Sequence, residues 1–321
     1  MENSKISTVL LLLFALSSFS SASWMISADA DLRYRASLPR EHRGGVEALG
    51  LSVRKTIADQ QGDRWILFGM GEVMDNFSML MLHEGYVSLK GPMGTWNISA
   101  GRKLLPFGLL YNYSADRMIF HTLEQSSLGM GVDNGLQFFG VLPSFDYSVS
   151  LTQGFGAGKI TGIGKGLLTS RIGFQVGEYD DGSVGFSFAA GYTNANASGH
   201  HGHHSHHGSE EVFMTRYVGS VDLTYYLGQM IIRSEISGGS IDNQLFAGLF
   251  ALTDYALNSK TDLTFAANIS RTGESYEDTW FGGLSFSSAW FTLRTGYSYT
   301  HFKENKHEIT IQLYRLFSAN F

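Results

Sequence analysis

The residues most able to do chemistry are histidines, crowded into the segment HHGHHSHH and followed by Glu210 and Glu211. The six are His200, His201, His203, His204, His206 and His207. Neutral imidazole nitrogens bind Zn²⁺, Cu²⁺ or Ni²⁺, and a Gly/Ser frame lets three or four of them converge on one ion. The segment therefore predicts a divalent transition-metal site, and no other cofactor is required. A solvated polar loop that holds no metal in the cell is the alternative that this composition allows.

A second group of ionisable side chains lies in and beside one long connection. Its members are Arg102, Lys103, Asp116, Arg117, His121, Glu124 and Asp133. Opposite charges across a narrow opening create a transverse field, which filters small solutes by size and charge. We expect these residues to line the constriction of a pore. In the alternative interpretation, Arg117 and Glu124 only hold the connection to the wall through ion pairs.

No pattern in the chain predicts catalysis. The glycines of residues 154–166 precede no helix and therefore do not form a phosphate-binding loop. Nothing resembles a nucleophile elbow, and no Ser/His/Asp set can be assembled by spacing. The sequence predicts that the protein is not an enzyme. The net charge of −6 is modest and indicates no polyanionic partner such as nucleic acid.

The N-terminal residues have the features of a secretory signal peptide. Lys5 supplies the basic region, residues 9–16 form an apolar core, and Ser20 and Ala22 precede a cleavage point. This pattern predicts a signal peptide over residues 1–22 and a single exported domain over residues 23–321. No second apolar run of membrane-spanning length follows. Cysteine is absent, so the exported chain must be stabilised without disulfides.

The C-terminal segment HEITIQLYRLFSANF alternates between apolar and polar residues with a period of two. Ile309, Ile311, Leu313 and Phe317 share one face, and the chain stops on the aromatic Phe321. A strand with one apolar and one polar face that ends on phenylalanine resembles the closing strand of a bacterial outer-membrane β-barrel. In that class of protein the terminal aromatic strand seals the barrel. The last strand of a soluble sandwich is the alternative.

The remaining chain divides into further segments of the same kind, which brings the total to about sixteen strands (14–18) in an all-β, transmembrane antiparallel β-barrel. Every second connection is short, whereas long ones fall at residues 103–131, 154–166 and 197–211. This sorting is typical of a barrel with tight turns at one end and loops at the other. Mean hydropathy is −0.04 although 13% of residues are aromatic, which fits a wall that alternates between lipid and water. Aromatic pairs such as Trp280-Phe281 and Trp290-Phe291 predict girdles at the membrane interfaces.

The most specific motif lies within residues 98–154. The block GRKLLPFG at residues 101–108 is followed by a semi-polar segment, a strand that opens with GLQ at residues 135–137, and a hairpin that ends at Gln153-Gly154. This order resembles the phosphate-selective porin O and P family. The resemblance implies a sixteen-stranded homotrimeric passive channel in which the long third outer loop folds inward and narrows the lumen.

Together these patterns predict a porin of the bacterial outer membrane, in contact with outer-membrane lipid, that passes small hydrophilic solutes or ions. Three other functions are compatible with a barrel. It could be an enzyme, an adhesion or structural protein with a plugged lumen, or a sheath around a partner electron carrier. Planar-bilayer conductance separates the channel from all three.

Overall fold

Sixteen strands account for most of the chain in the computed structural model, which describes residues 22–38, 41–59, 62–111, 119–123, 128, 130–156, 164–177, 181–194, 212–302 and 305–321. The strands are β1 Ala22–Leu38, β2 Glu41–Asp59, β3 Gly62–Met74, β4 Met79–Lys90, β5 Asn97–Leu104, β6 Val132–Val141, β7 Phe145–Thr152, β8 Leu167–Val176, β9 Gly182–Asn194, β10 Phe213–Leu227, β11 Met230–Ile241, β12 Gln244–Asn258, β13 Thr261–Thr272, β14 Ser275–Ser287, β15 Thr292–His301 and β16 Asn305–Asn320. Two single turns of 3-10 helix cover Pro92–Gly94 and Leu109–Tyr111. The predicted signal peptide lies outside the described residues, except that its last residue, Ala22, begins β1.

Every strand pairs with its chain neighbours in antiparallel fashion, and β1 pairs with β16 to close the barrel. The closing pair runs in unbroken register from Met25 opposite Asn320 to Leu38 opposite His307. Closure leaves no sheet edge, so the strand backbone groups find partners without water. The predicted number of strands and their antiparallel order are confirmed. Trp290 and Phe291 of the predicted girdle belong to the turn before β15.

The two ends of the barrel differ sharply. One end carries both termini of the barrel, and we call it the terminal end. Every connection there is a turn of at most six residues, and the longest covers residues 91–96. At the other end, the loop end, three successive connections are long: L3 (residues 105–131), L4 (residues 153–166) and L5 (residues 195–212). This arrangement confirms the predicted sorting of turns and loops.

The two faces of the wall also differ. On β16 the outward Ile309 is 51% exposed, whereas the inward Gln312 is fully buried within the barrel. Exposed apolar residues alternate with inward residues along the other strands too, and many of the inward residues are polar, as a wall between lipid and an aqueous interior requires. Among the described residues, no helix is long and apolar enough to cross a membrane.

Candidate functional site

The third loop enters the barrel and packs against one side of its wall. Its described apolar residues are buried together with inward residues of β8 to β14. From L3 the cluster contains Leu105, Phe107, Leu109, Phe120, Leu123, Leu128 and Met130, and from the wall Leu167, Ala189, Val218, Ile241, Phe246, Phe250, Leu252, Ala266 and Phe281. The predicted inward-folding third loop is confirmed. A wall that is apolar over seven strands explains how a long loop can remain inside the lumen, because it buries hydrocarbon there.

The tip of L3 is held by aromatic contacts. The Phe120 ring centroid lies 5.3 Å from that of Phe281 and 6.4 Å from that of Phe250. Phe281 therefore points into the lumen, and its predicted place in an outer aromatic girdle was wrong. Its neighbour Trp280 does face outward and is 51% exposed. Gly296 makes room for this packing, because a Cβ there would overlap the Phe281 ring.

Polar anchors fix the remainder of L3. The backbone N–H of Gly108 donates to Ser187 Oγ at 3.0 Å, and that of Leu109 donates to Glu235 Oε2 at 2.8 Å. Glu235 is fully buried, and its second oxygen accepts hydrogen bonds from Ser220 and Ser237. A carboxylate with three donors is satisfied although water is excluded, so it forms a firm attachment point for the loop.

Tyr111 extends the attachment toward the terminal end. Its hydroxyl is hydrogen-bonded to Ser148 of β7, close to the ion-paired Asp146 and Arg171. Burial raises the pKa of the Tyr111 phenol, and the nearby Asp146 carboxylate adds to that effect. The phenol is thus protonated at neutral pH. The described residues of L3 therefore contact the wall from β7 to β15 and leave the inner face of β1 and β2 uncovered.

The uncovered side carries charges instead of apolar residues. We call the inward side chains of Arg33, Arg35, Arg54 and Arg294, together with Asp31, Glu47 and Glu308, the arginine wall; it belongs to β1, β2, β15 and β16. Arg33 binds Asp31 and Arg35 binds Glu47, each at 2.8 Å. The Arg33, Arg35 and Glu47 side chains are 8%, 14% and 21% exposed, whereas the wall residue Val218, which L3 covers, is 0% exposed. The arginine wall therefore faces space that L3 leaves open.

The arginine wall lies two strands from the point where the tip of L3 contacts the wall. Gly296, which contacts Ile119 of L3, is paired with Thr310, and Thr310 is paired with Arg35. Cross-strand neighbours are about 4.8 Å apart. Ile119 of the L3 tip and Arg35 of the arginine wall are therefore separated by about two strand spacings along the wall.

Two of the predicted constriction residues, Arg102 and Asp133, contact the base of L4. Arg102 donates to the carbonyls of His83 and Gly156 at 3.2 and 3.1 Å. Asp133 accepts the N–H groups of Gly154 and Gly156 at 2.5 and 3.3 Å. Both side chains are buried, and together they stabilise the base of L4. Their expected role at a constriction stays a prediction.

The other predicted constriction residues are placed differently. The Lys103 ammonium lies 3.8 Å from the Phe139 ring centroid and 5.1 Å from that of Tyr86, a cation–π arrangement. His121 lies in the L3 tip, where its carbonyl accepts a hydrogen bond from Asn268. Asp116, Arg117 and Glu124 lie outside the described residues.

The six predicted metal-binding histidines also lie outside the described residues, as do Glu210 and Glu211. Within the described ranges, no group of three or more His, Cys, Asp or Glu side chains is arranged to hold a metal. The metal site of L5 therefore stays a prediction.

Sequence reasoning missed the arginine wall as a site. Its signal was present in β1, where Asp29, Asp31, Arg33 and Arg35 occupy successive inward positions. That alternation indicates a polar inner face, but it does not say which part of the face a loop covers.

Comparison with known proteins is informative about the fold only. No protein-family model and no curated protein matches the chain. Among solved structures, a loop L8 deletion form of OmpT, an outer membrane protein of Vibrio cholerae, has a TM-score of 0.72 at 12% identity over 93% of this chain and 100% of that one. The anion-selective porin from Comamonas acidovorans has a TM-score of 0.68 at 12% identity, covering 92% and 99%. OmpF of Salmonella typhi has a TM-score of 0.64 at 9% identity, covering 92% and 97%.

The chain therefore has the fold of sixteen-stranded outer-membrane barrels, in agreement with its predicted location in the bacterial outer membrane. The resemblance to the phosphate-selective porin O and P family is not confirmed by these comparisons and stays a hypothesis.

Proposed function

We propose that the protein is a passive outer-membrane channel for small hydrophilic solutes or ions, constricted between the tip of L3 and the arginine wall. The observation that carries this proposal is the one-sided packing of L3. Its described apolar residues bury the inner wall from β8 to β14, while the charged residues of β1 and β2 stay partly exposed. The likeness in fold to an anion-selective porin supports the same function.

Planar-bilayer recording of the purified protein tests this function. Discrete open steps in salt solution support a channel. A silent bilayer with correctly folded protein contradicts it and favours an enzyme, a plugged adhesion barrel or a sheath for an electron carrier. Recordings in phosphate and in chloride test the phosphate preference that the family resemblance implies.

Glu47→Gln is expected to move the selectivity of the channel toward anions. Glu47 is the acceptor for Arg35 and lies 3.9 Å from Arg33, so the amide leaves both guanidinium charges without this counter-charge. Uncompensated positive charge at a narrow opening attracts anions and repels cations. The measurement is the reversal potential in a salt gradient.

Glu274→Gln is the matched control for this experiment. It makes the same chemical change at an exposed residue between β14 and β13, at the loop end and away from the arginine wall. Its reversal potential should stay close to that of the unmodified protein. Equal reversal potentials for Glu47→Gln and Glu274→Gln would exclude the arginine wall as the selectivity element.

We also propose a homotrimer, and a Vibrio cholerae protein of similar fold has been described in a trimer form. The proposed trimer keeps each lumen separate, because each barrel is closed on itself.

The L5 histidines are proposed to collect a divalent metal at the channel mouth. The support is the position of the flanking strand ends: β9 ends at Asn194 and β10 begins at Phe213, both at the loop end. Six imidazoles in eight residues offer many three- or four-ligand combinations, and two carboxylates follow them. Binding should be exchangeable, because ordering a loop costs about 1 kcal/mol or more per residue.

Deletion of residues 199–208 is expected to abolish the response of the channel to Zn²⁺ or Cu²⁺. Strands β9 and β10 pair without this segment, so the barrel should fold normally. The measurement is conductance with and without micromolar metal, at pH 7.5 and at pH 5.5, where most imidazoles are protonated and bind no metal. A metal response that persists in the deletion variant would mean that L5 is only a solvated loop.

A further inference from the structure

A cavity of about 220 Å³ lies inside the barrel on the terminal side of the L3 tip. It is bounded by inward residues of β11 to β15 and by Ile119 and Phe120 of L3. Pockets for drug-sized ligands have volumes of about 300 to 1,000 Å³, so this cavity suits a smaller solute. A solute that passes the constriction would enter it next.

One side of the cavity is apolar. Ile119, Phe120 and Phe281 line it, and the wall beneath the Phe281 ring is formed by Gly283 and Gly296. A Cβ at either glycine would approach that ring too closely, so the absence of side chains there lets the ring lie flat against the wall. The result is a fixed hydrocarbon surface facing the cavity.

The flanks of the cavity carry opposite charges. Asp254 is already bound to Arg233 at 2.8 Å and to Thr264 at 2.7 Å. Asp262 also lines the cavity, and within the described part of the chain its carboxylate has neither a hydrogen bond nor an ion pair. On the other flank lies Arg294, which donates to Gln312 at 2.8 Å.

The spacing of the two flanks is set by strand register. Asp262 is paired with Ser285, and Ser285 is paired with Arg294, so the two charged residues are separated by two strand spacings. That corresponds to about 9 to 10 Å between their Cα atoms. The Arg294 guanidinium is held by Gln312 of β16, on the side away from Asp262, so it does not shorten this gap.

We propose that this cavity is a binding subsite for short zwitterionic peptides with an apolar side chain, of which a dipeptide is the smallest. The ammonium group binds Asp262, the carboxylate binds Arg294, and the apolar side chain packs on Phe120 and Phe281. Two extended residues span about 7 Å, which fits the gap, whereas the charges of a single amino acid are too close together. The proposal rests on the proposed channel function, because the subsite lies on its path.

Isothermal titration calorimetry of the detergent-purified protein with leucyl-glycine tests the subsite without requiring conductance. Binding is expected, and removing either charge of the peptide, as in N-acetyl-leucyl-glycine or leucyl-glycine amide, should weaken it about tenfold or more, as the loss of a charge-assisted hydrogen bond does. Glycyl-glycine, which lacks the apolar side chain, should also bind more weakly. Free leucine should bind more weakly than leucyl-glycine.

Asp262→Asn is expected to weaken leucyl-glycine binding about tenfold. In this variant, N-acetyl-leucyl-glycine should bind with the same affinity as leucyl-glycine. Asp242→Asn is the matched control, since Asp242 lies in the tight turn between β11 and β12 at the loop end, with a positive φ that asparagine also adopts. The control should bind the peptide like the unmodified protein.

Absence of calorimetric binding, or equal affinity for all five ligands, would overturn the subsite. Equal affinity of Asp262→Asn and Asp242→Asn would overturn it as well. A silent bilayer together with intact peptide binding would instead refute the channel and keep the subsite, so the two proposals fail separately.

Discussion

Phe120→Asp is expected to raise the single-channel conductance severalfold. Phe120 packs between Phe250 and Phe281, and it is 8% exposed. Placing a carboxylate in that apolar contact without a partner costs several kcal/mol, more than the aromatic contacts supply. The tip of L3 should therefore leave the wall, and the open cross-section at this height should increase.

The barrel itself should survive this change, because its strands are held by their own pairing and not by L3. Far-UV circular dichroism and the thermal transition check that expectation. Met93→Asp is the control: it introduces the same charge at a position that is 96% exposed in a terminal-end turn. Unchanged conductance and unchanged current noise in Phe120→Asp would mean that the L3 tip does not limit the open path.

The strands were predictable because each one carries its own signal. In β16 the alternation of Ile309, Thr310, Ile311 and Gln312 identifies both faces without reference to any other part of the chain. The same local signal, with short turns at every second connection, predicts the number of strands and their antiparallel order. Closure then follows physically, since a sheet edge in hydrocarbon would leave backbone groups unpaired.

The candidate site was less predictable, because it depends on contacts between residues far apart in sequence. Phe281 has the sequence appearance of an interface aromatic, and only its contact with Phe120, 161 positions earlier, explains its inward direction. Likewise, the inward arginines of β1 could be recognised as lumen residues from their spacing. The position of L3 determines that the inward residues of β8 to β14 are covered and that the inward arginines of β1 are not.

Two charged residues beside L3 make contacts that the sequence does not reveal. The sequence drew attention to Arg102 and Asp133 as filter residues, yet both bind backbone groups of His83 or residues 154–156. Charged residues next to a loop serve two purposes, attachment and solute selection, and a sequence does not distinguish them. The burial of a charged side chain indicates attachment, because a buried charge must find its partners within the protein.

A second buried charge cluster holds the wall beneath L3. Asp146, Gly173, Gly185 and Asp222 are successive partners across β7 to β10. The Arg171 side chain occupies the space over the two glycines, where any Cβ would overlap the guanidinium or the carboxylates. It donates to Asp222 at 2.7 and 3.2 Å and to Asp146 at 3.2 Å. One arginine thus links the carboxylates of Asp146 on β7 and Asp222 on β10, whose strands are three strand spacings, or about 14 Å, apart.

Arg171→Met is expected to destabilise the barrel by about 3 to 5 kcal/mol. The Arg171 and Asp222 side chains are 0% and 2% exposed, so the substitution leaves a buried carboxylate without its cation. Tyr111 of L3 lies beside this cluster, so the loop should also become more mobile. Urea unfolding in lipid vesicles, followed by tryptophan fluorescence, measures the free energy of unfolding, and limited proteolysis measures exposure of L3.

Two further variants distinguish loss of the ion pair from loss of packing. Arg171→Met combined with Asp222→Leu removes both charges, and replacing a buried pair by apolar residues is often neutral, so most of the stability should return. Arg271→Met, at an exposed arginine that donates to the nearby Gly273 carbonyl at 2.9 Å, should change the free energy of unfolding by no more than about 0.5 kcal/mol. If the double variant is as unstable as Arg171→Met alone, the cause is the shape of the site above Gly173 and Gly185 and not the unpaired charge of Asp222.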